Sequence, residues 1–304
     1  MRNLPFDKPG QFYRGNTHAH STRSDGGLSP KEVVDAYRDR DYDFVAVTDH
    51  YMERFDFPVT DTREYRTRDF TTLLGAELHG QGLENGGLWH IVALGLPIDF
   101  EPQQPGEDGR EIAARAKAAG AFISLPHPQW TGVTTIDARS IEDFDAIEVH
   151  NEGHTNDSDR GNGWFLADLM ATAGYRFSCT AADDAHFNAR PDSFGGWIWV
   201  KAESLEPEAL LEAMKNGRYY ASTGPEIHNV AFTDDEIVVE CSEAEVVMVG
   251  GHGSTCRYVR EPGMTRAVFP MAPFGNAFAR ITVIDRHGKK AWTSPLWLDE
   301  LTIT

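Results

Sequence analysis

The stretch Asn16-Thr17-His18-Ala19-His20-Ser21, with Ser24-Asp25-Gly26 just behind it, decides how this chain is read. Phe12-Tyr13-Arg14-Gly15 before it has the pattern of a strand. Residues two apart in a strand face the same way, so His18 and His20 project together. Two imidazoles on one face, a carboxylate shortly after and no cysteine nearby describe a nitrogen/oxygen metal site. A lone HxH pair also arises on ordinary surfaces; it gains weight here because later strand ends carry matching groups.

Those strand ends follow in order. Ser29-Pro30 with Glu32 reads as a capped helix start, and the helix runs to about residue 40. Phe44-Val45-Ala46-Val47-Thr48 is a buried-strand pattern ending in Asp49-His50. Residues 71–74 form a strand ending in Gly75-Ala76-Glu77, and a Gly-rich loop at 80–87 turns into Trp89-His90-Ile91-Val92-Ala93-Leu94. A helix over 111–119, stopped by Gly120, feeds Ala121-Phe122-Ile123-Ser124-Leu125 and then Pro126-His127-Pro128. Asp145-Ala146-Ile147-Glu148-Val149 ends in His150-Asn151. A helix over 165–173 precedes a strand over 175–180 that ends in Asp183-Asp184-Ala185-His186. Strand–helix alternation predicts an α/β fold with a parallel sheet and helices outside, and such barrels place their chemistry at the carboxyl ends of the strands. From Pro225 the pattern changes to short alternating runs (236–241, 246–249, 267–269, 277–283) between Gly, Pro and Asp turns. The expected division is a barrel-like α/β domain over residues 1–224 and an antiparallel β-sandwich over 225–304.

Composition narrows the function. The 304 residues carry a net charge of −19, a field that repels polyphosphate chains and argues against a nucleic-acid scaffold. The three cysteines (Cys179, Cys241, Cys256) are isolated, which fits reduced thiols and a cytoplasmic location. The first residues lack an apolar signal core, and no apolar run approaches membrane length, so no membrane role is expected. GxxxxGK[ST], GxGxxG after a strand and GxSxG are all missing.

His18-Ala19-His20-Ser21, Ser24-Asp25-Gly26, Thr48-Asp49-His50, Gly75-Ala76-Glu77, Pro126-His127-Pro128 and Asp184-Ala185-His186 together resemble, in this order, the PHP (polymerase and histidinol phosphatase) superfamily of metallohydrolases over residues 14–190. Residues 216–225 (Asn-Gly-Arg-Tyr-Tyr-Ala-Ser-Thr-Gly-Pro) with the β tail further resemble its carbaryl-hydrolase branch. The resemblance implies a distorted (β/α)7 barrel holding two or three divalent ions (manganese, iron or zinc), most often for phosphoester hydrolysis. It implies His18, His20, Glu77 and Asp184 for a first ion and Asp25, His50 and His186 for a second. Glu77 would bridge to a third ion with His90 and His127. Asp25 stands where several relatives have histidine, and aspartate, the harder ligand, favours manganese or iron over zinc. Asp183 is left as a neighbour of the ligand set, and His79 is left outside it.

The expected activity is a phosphoesterase acting on a small, anionic, phosphorylated metabolite through a metal-activated water. Arg23 and Arg190 are the candidates to hold the outer oxygens, and His150 is the candidate donor to the leaving group. His154, His228, His252 and His287 read as surface or β-module residues. A metallohydrolase of esters, carbamates or amides is the alternative, favoured if Trp130 and Phe187 build an apolar pocket. A non-catalytic metal-binding module is the third reading.

Overall fold

In the computed structural model, residues 5–275 and 277–301 are described; the outer bounds of the two expected parts, 1–4 and 302–304, lie outside the described residues. The apolar run of β1 (Gln11–Asn16) crosses through α1 (Pro30–Arg38) to a parallel β2 (Phe44–Val47). Ser29 and Glu32 form a reciprocal capping box at the start of α1, and Val33, Val34 and Tyr37 seat it on the sheet. After the short β3 (His50–Tyr51), β4 (Thr71–Gly80) runs parallel to both β2 and β3, with His50 beside Glu77.

Here the structure departs from simple alternation. β4 continues six residues past the expected end at Leu74 because β5 (Trp89–Leu94) folds back on it as an antiparallel hairpin. The Gly-rich stretch is the tip of that hairpin. α2 (Gly109–Ala118), capped by Asp108, packs Ile112, Ala113 and Ala116 on fully buried Trp89. A Cβ on Gly109 would fall 2.2 Å from the indole, so only glycine admits this approach. β6 (Phe122–Leu125) is again antiparallel to β5 and so restores the direction of β4.

Two short helices, α3 (Pro128–Thr131) and α4 (Thr135–Ser140), then lead to β7 (Ala146–Asn151), parallel to β6. α5 (Glu152–Ser158) and α6 (Trp164–Thr172) precede β8 (Ser178–Ala182), parallel to β7. β9 (Trp197–Ala202) pairs antiparallel with β1, and α7 (Pro207–Lys215) leads to β10 (Tyr219–Ser222), antiparallel to β9. The result is a mixed α/β architecture with the order β10-β9-β1-β2-β4-β5-β6-β7-β8. β1, β2, β4, β6, β7 and β8 all point the same way, so their carboxyl ends meet on one side.

The C-terminal strands are β11 (Ile227–Phe232), β12 (Glu236–Gly250), β13 (Cys256–Pro270), β14 (Phe278–Ile284), β15 (Lys290–Thr293) and β16 (Leu296–Trp297). The runs expected separately at 236–241 and 246–249 are one long strand, β12, interrupted by register shifts rather than turns. These strands bury a core of their own, including Val230, Ile237, Val239, Val247, Ile281 and Val283. They do not, however, form a self-contained sheet. β15 pairs with β10 (Tyr220↔Thr293, Ala221↔Trp292, Ser222↔Ala291), so one ladder runs from β11 through to β8. The expected boundary at 224/225 thus falls in a connection between strands of a continuous sheet. Among the described residues, no helix is long and apolar enough to cross a membrane.

That shared ladder makes the β tail a structural requirement. Ending the chain at residue 224 would leave β10 as an open edge and strip the cover from Tyr220 and its neighbours. The truncated chain should aggregate or melt at least about 10 °C lower, since even ~2 kcal/mol lost shifts the midpoint by several degrees. A soluble fragment with an unchanged melting temperature in scanning calorimetry would contradict this.

Candidate metal centre

Each strand end on the shared side delivers a donor. Ala19 forms a parallel bridge with Ala185, so His18 and His20 flank one bridge partner while Asp184 and His186 flank the other. β4 alternates, which turns Glu77 and His79 to the same face. His90 comes from β5, opposite His79, and His50 from β3, opposite Glu77. His127 and Asp184 both sit in left-handed backbone (φ 31° and 56°). Non-glycine residues hold that conformation at a cost of order 1–3 kcal/mol, and both of these aim side chains at the cluster.

Glu77 is the centre. Its Oε1 lies 2.8 Å from His90 Nδ1, 3.2 Å from His127 Nε2 and 3.7 Å from His18 Nε2. Its Oε2 lies 2.6 Å from His50 Nδ1, 3.7 Å from His20 Nε2 and 3.8 Å from His79 Nε2. Asp184 Oδ1 is 3.0 Å from His20 Nε2 and 3.3 Å from His18 Nε2. Asp25 completes the outer end, 3.3 Å from His50 Nε2 and 3.5 Å from His186 Nε2. The structure therefore brings His18, His20, Asp25, His50, Glu77, His90, His127, Asp184 and His186 into one cluster.

The donors fit divalent cations. Atoms held about 2.1 Å from a common ion stand roughly 3.0–3.4 Å apart in octahedral or tetrahedral arrangement, close to most of the separations found here. His18 Nε2 and Glu77 Oε2 are buried without a hydrogen-bond partner, a cost that a cation between them would remove. Electrostatics agree. Burial alone would raise the Glu77 carboxyl, yet His50, His90 and the other imidazoles outweigh it and hold it well below the usual range. Burial, then the charge of His50, pushes His20 down to about 4, leaving the neutral imidazole that ligation needs.

A second layer fixes the first. Glu148, buried on β7, places Oε1 3.3 Å from His18 Nδ1 and accepts from the His127 backbone N–H (2.7 Å) and from Asn151 Nδ2 (2.8 Å). It thereby sets the ring that points His18 Nε2 inward. Asp49 accepts from the Ser21 N–H and hydroxyl, Ser24 Oγ and Thr60 Oγ1, which holds the turn carrying Asp25. Asp183 stays outside the cluster. Burial pushes its carboxyl up to about 6, against four hydrogen bonds from Tyr37 Oη and the N–H groups of Phe194, Gly195 and Gly196.

Two of the three candidate catalytic side chains, His150 and Arg23, fall elsewhere than the sequence suggests. His150 lies beyond a register shift in β7, pairs with Glu152 (2.9 Å) and lines a neighbouring cleft beside Trp292. Arg23 is exposed on the turn after Ser21 and does not line the metal cleft. Arg190 does line it, with one guanidinium nitrogen on Asp157 (2.7 Å). Three further residues belong to the site, one not singled out in the sequence and two set aside there. Arg54 lines the cleft mouth. His154, set aside as a surface residue, places Nε2 3.3 Å from Asp184 Oδ2 and stacks on Trp130. His79, left outside the set, is buried within it. His154 sits on a short helix with no motif of its own; His79 was legible from its i+2 spacing to Glu77. Trp130 lines the cleft, whereas Phe187 packs with Tyr37 and Phe194 away from it.

No family model and no curated protein matches this sequence. Among solved structures, the chain is similar to a two-domain protein from Bacteroides vulgatus containing a predicted PHP-like metal-dependent phosphoesterase. The match has 15% identity over 97% of this chain and 99% of that one, with a TM-score of 0.55. The fold is PHP-like. Two other structures match more loosely. A candidate metal-dependent phosphoesterase from Bifidobacterium adolescentis has 15% identity over 59% of this chain and 90% of its own, with a TM-score of 0.44. An amidohydrolase from Chromobacterium violaceum has 16% identity over 57% and 87%, with a TM-score of 0.40.

Two outcomes follow from this arrangement. Because Glu77 faces donors on both of its oxygens, Glu77→Gln should lower metal content, read by elemental analysis, more than any other single-ligand change. Full metal content in that variant would contradict the bridging arrangement. Asp183→Asn would set an amide N–H₂ against backbone donors and should cost about 2–3 kcal/mol in denaturant unfolding. An unchanged midpoint would show that those four hydrogen bonds are not needed.

Proposed function

We propose that the protein is a metal-dependent phosphoesterase with a PHP-type barrel, hydrolysing a small phosphorylated metabolite in the cytoplasm. The observation that carries this reading is the convergence of three carboxylates and seven imidazoles on one centre, with Arg54 and Arg190 lining its cleft. His18, His20, Glu77 and Asp184 are assigned to one ion; Asp25, His50 and His186 to a second; Glu77, His90 and His127 to a third. Asp25 gives the second set a harder donor beside its two imidazoles, which suits manganese or iron better than zinc. When bound, such ions supply Lewis-acid stabilisation of developing negative charge and a water of lowered pKa.

The chain's own groups do the rest. Arg54 and Arg190 hold the outer oxygens of an anionic substrate in an otherwise acidic protein. His154, oriented by Asp184 on one side and Trp130 on the other, stands where a leaving group could take a proton. Glu148 and Asp49 keep the imidazoles and the Asp25 turn aligned. Water is the attacking group and no covalent protein intermediate forms. Cys179 is buried within β8 with its thiol pushed up by burial, and Cys241 and Cys256 belong to the C-terminal strands.

Trp130 favours a second reading. Its indole lies edge-on to His90 and His127 at 5.4 and 5.1 Å and forms an apolar wall suited to an aryl ester or carbamate. A screen of the metal-loaded protein against phosphomonoesters, phosphodiesters, aryl esters and carbamates separates the two. The phosphoesterase reading predicts turnover of phosphomonoesters, and activity confined to aryl esters or carbamates would replace it with the second. In oxygen-18 water, single-turnover hydrolysis should place one labelled oxygen in the phosphate, and a trapped phosphoenzyme would contradict direct attack. His154→Ala should lower kcat by ~10²-fold, whereas His150→Ala should stay within about threefold. The reverse ranking would move the proton donor back to His150.

A further inference from the structure

His79 is the one imidazole of the cluster that the three assigned ions leave over. It stands in the wall between the metal cleft, of about 380 Å³, and a second cavity of about 590 Å³. Alternation along β4 puts it on the same face as Glu77. Its Nδ1 is buried with no hydrogen-bond partner among the described residues, and its Nε2 stands 3.8 Å from Glu77 Oε2, beyond hydrogen-bond reach. The edges and faces of His90 and His50 close round the ring, with centroids 4.4 and 4.9 Å away.

A neutral imidazole carries one lone pair and one N–H, and each costs free energy when buried unmet. The atoms beside His79 are in the same condition. Glu77 Oε2 and His50 Nδ1 are buried and stand 2.6 Å apart, yet neither makes an aligned hydrogen bond. Donor atoms of His50, Glu77 and His79 all lie within 4.8 Å of one another. A divalent cation among them would meet three of these orphaned atoms at once.

His50 ties this set to the second ion. Its Nε2 faces Asp25 Oδ2 at 3.3 Å, and Asp25 in turn faces His186, whereas its Nδ1 faces Glu77. One ring thus joins two donor sets of equal composition, each of two imidazoles and one carboxylate. Asp25 is 41% exposed and Glu77 1%, so one set opens to solvent and the other is closed from it. A neutral imidazole has a single lone pair, so His50 can serve only one set at a time.

We propose that the second ion has two alternative seats: an open one at Asp25, His50 Nε2 and His186, and a closed one at His50 Nδ1, Glu77 Oε2 and His79 Nε2. When the ion takes the closed seat, the His50 proton passes from Nδ1 to Nε2, and it passes back when the ion returns. The open seat is the favoured one, because its carboxylate is not shared with the other ions. The closed seat keeps the ion with the protein when Asp25 lets go. This inference rests on the ion assignments above and not on which ester is cleaved.

The test uses the full chain saturated with manganese, read by elemental analysis and by anomalous scattering from crystals. Asp25→Ala should hold as many manganese ions per chain as the wild type, with the peak near Asp25 replaced by one beside His79. Asp25→Ala/His79→Leu, which keeps most of the buried volume, should hold one ion fewer. His79→Leu alone should keep every ion, with the peak near Asp25 in place. Asp25 is exposed, and the backbone carbonyl that Asn188 uses is untouched by the change, so Asp25→Ala should fold. Its peak position decides the matter even if the double variant unfolds. Loss of an ion in Asp25→Ala, or a retained ion away from His79, would overturn the closed seat. A wild-type cluster without manganese at saturation would overturn the ion assignments and both seats with them. Manganese placed as expected in a chain that hydrolyses no phosphoester would overturn the phosphoesterase reading and leave both seats standing.

Discussion

A carboxylate buried at the middle of a ring of imidazoles is the constraint on which the rest of this structure depends. Glu77 is almost wholly removed from water, and both of its oxygens face nitrogen donors. An isolated ionised carboxylate in such a place would be prohibitively costly, so its surroundings must supply positive charge. Everything around it serves that need: histidines from β3, β5 and the ends of β1, β6 and β8, held by a fold whose strands point one way.

The fold solves this placement with a departure from regularity. A strictly alternating strand–helix chain would end β4 at Leu74 and leave Glu77 in a loop. The β4–β5 hairpin instead makes Glu77 a strand residue, with His90 delivered from across the hairpin. The same hairpin turns His79 inward and sets up the wall between the metal cleft and its neighbouring cavity. Left-handed backbone at His127 and Asp184 is tolerated for the same reason. Hydrogen bonds from the His127 N–H to Glu148 and from the Asp184 N–H to the His18 carbonyl pin both turns.

Much of this was legible in the sequence because strand periodicity and metal chemistry leave local marks. His18 and His20 share a face by spacing alone, and the helix start at Ser29 stands as read. Three things were not legible. The antiparallel hairpin depends on tertiary pairing, and a Gly-rich stretch reads equally as a loop or a hairpin tip. The side to which His150 turns depends on a register shift in β7 that no local pattern announces. The joining of β10 to β15 pairs residues some seventy positions apart, so the C-terminal strands looked separable when their ladder is continuous with the rest. His154, Arg54 and Glu148 were missed for a related reason: each acts through partners brought near only by the fold.

The most direct test of the polynuclear centre is anomalous X-ray scattering from crystals of the protein grown with manganese, with data taken on both sides of the metal edge. The account predicts at least two anomalous peaks inside the cluster, one shared by Glu77, His18, His20 and Asp184 and one near Asp25, His50 and His186. A single peak distant from Glu77, or none within the cluster at full metal loading, would contradict it.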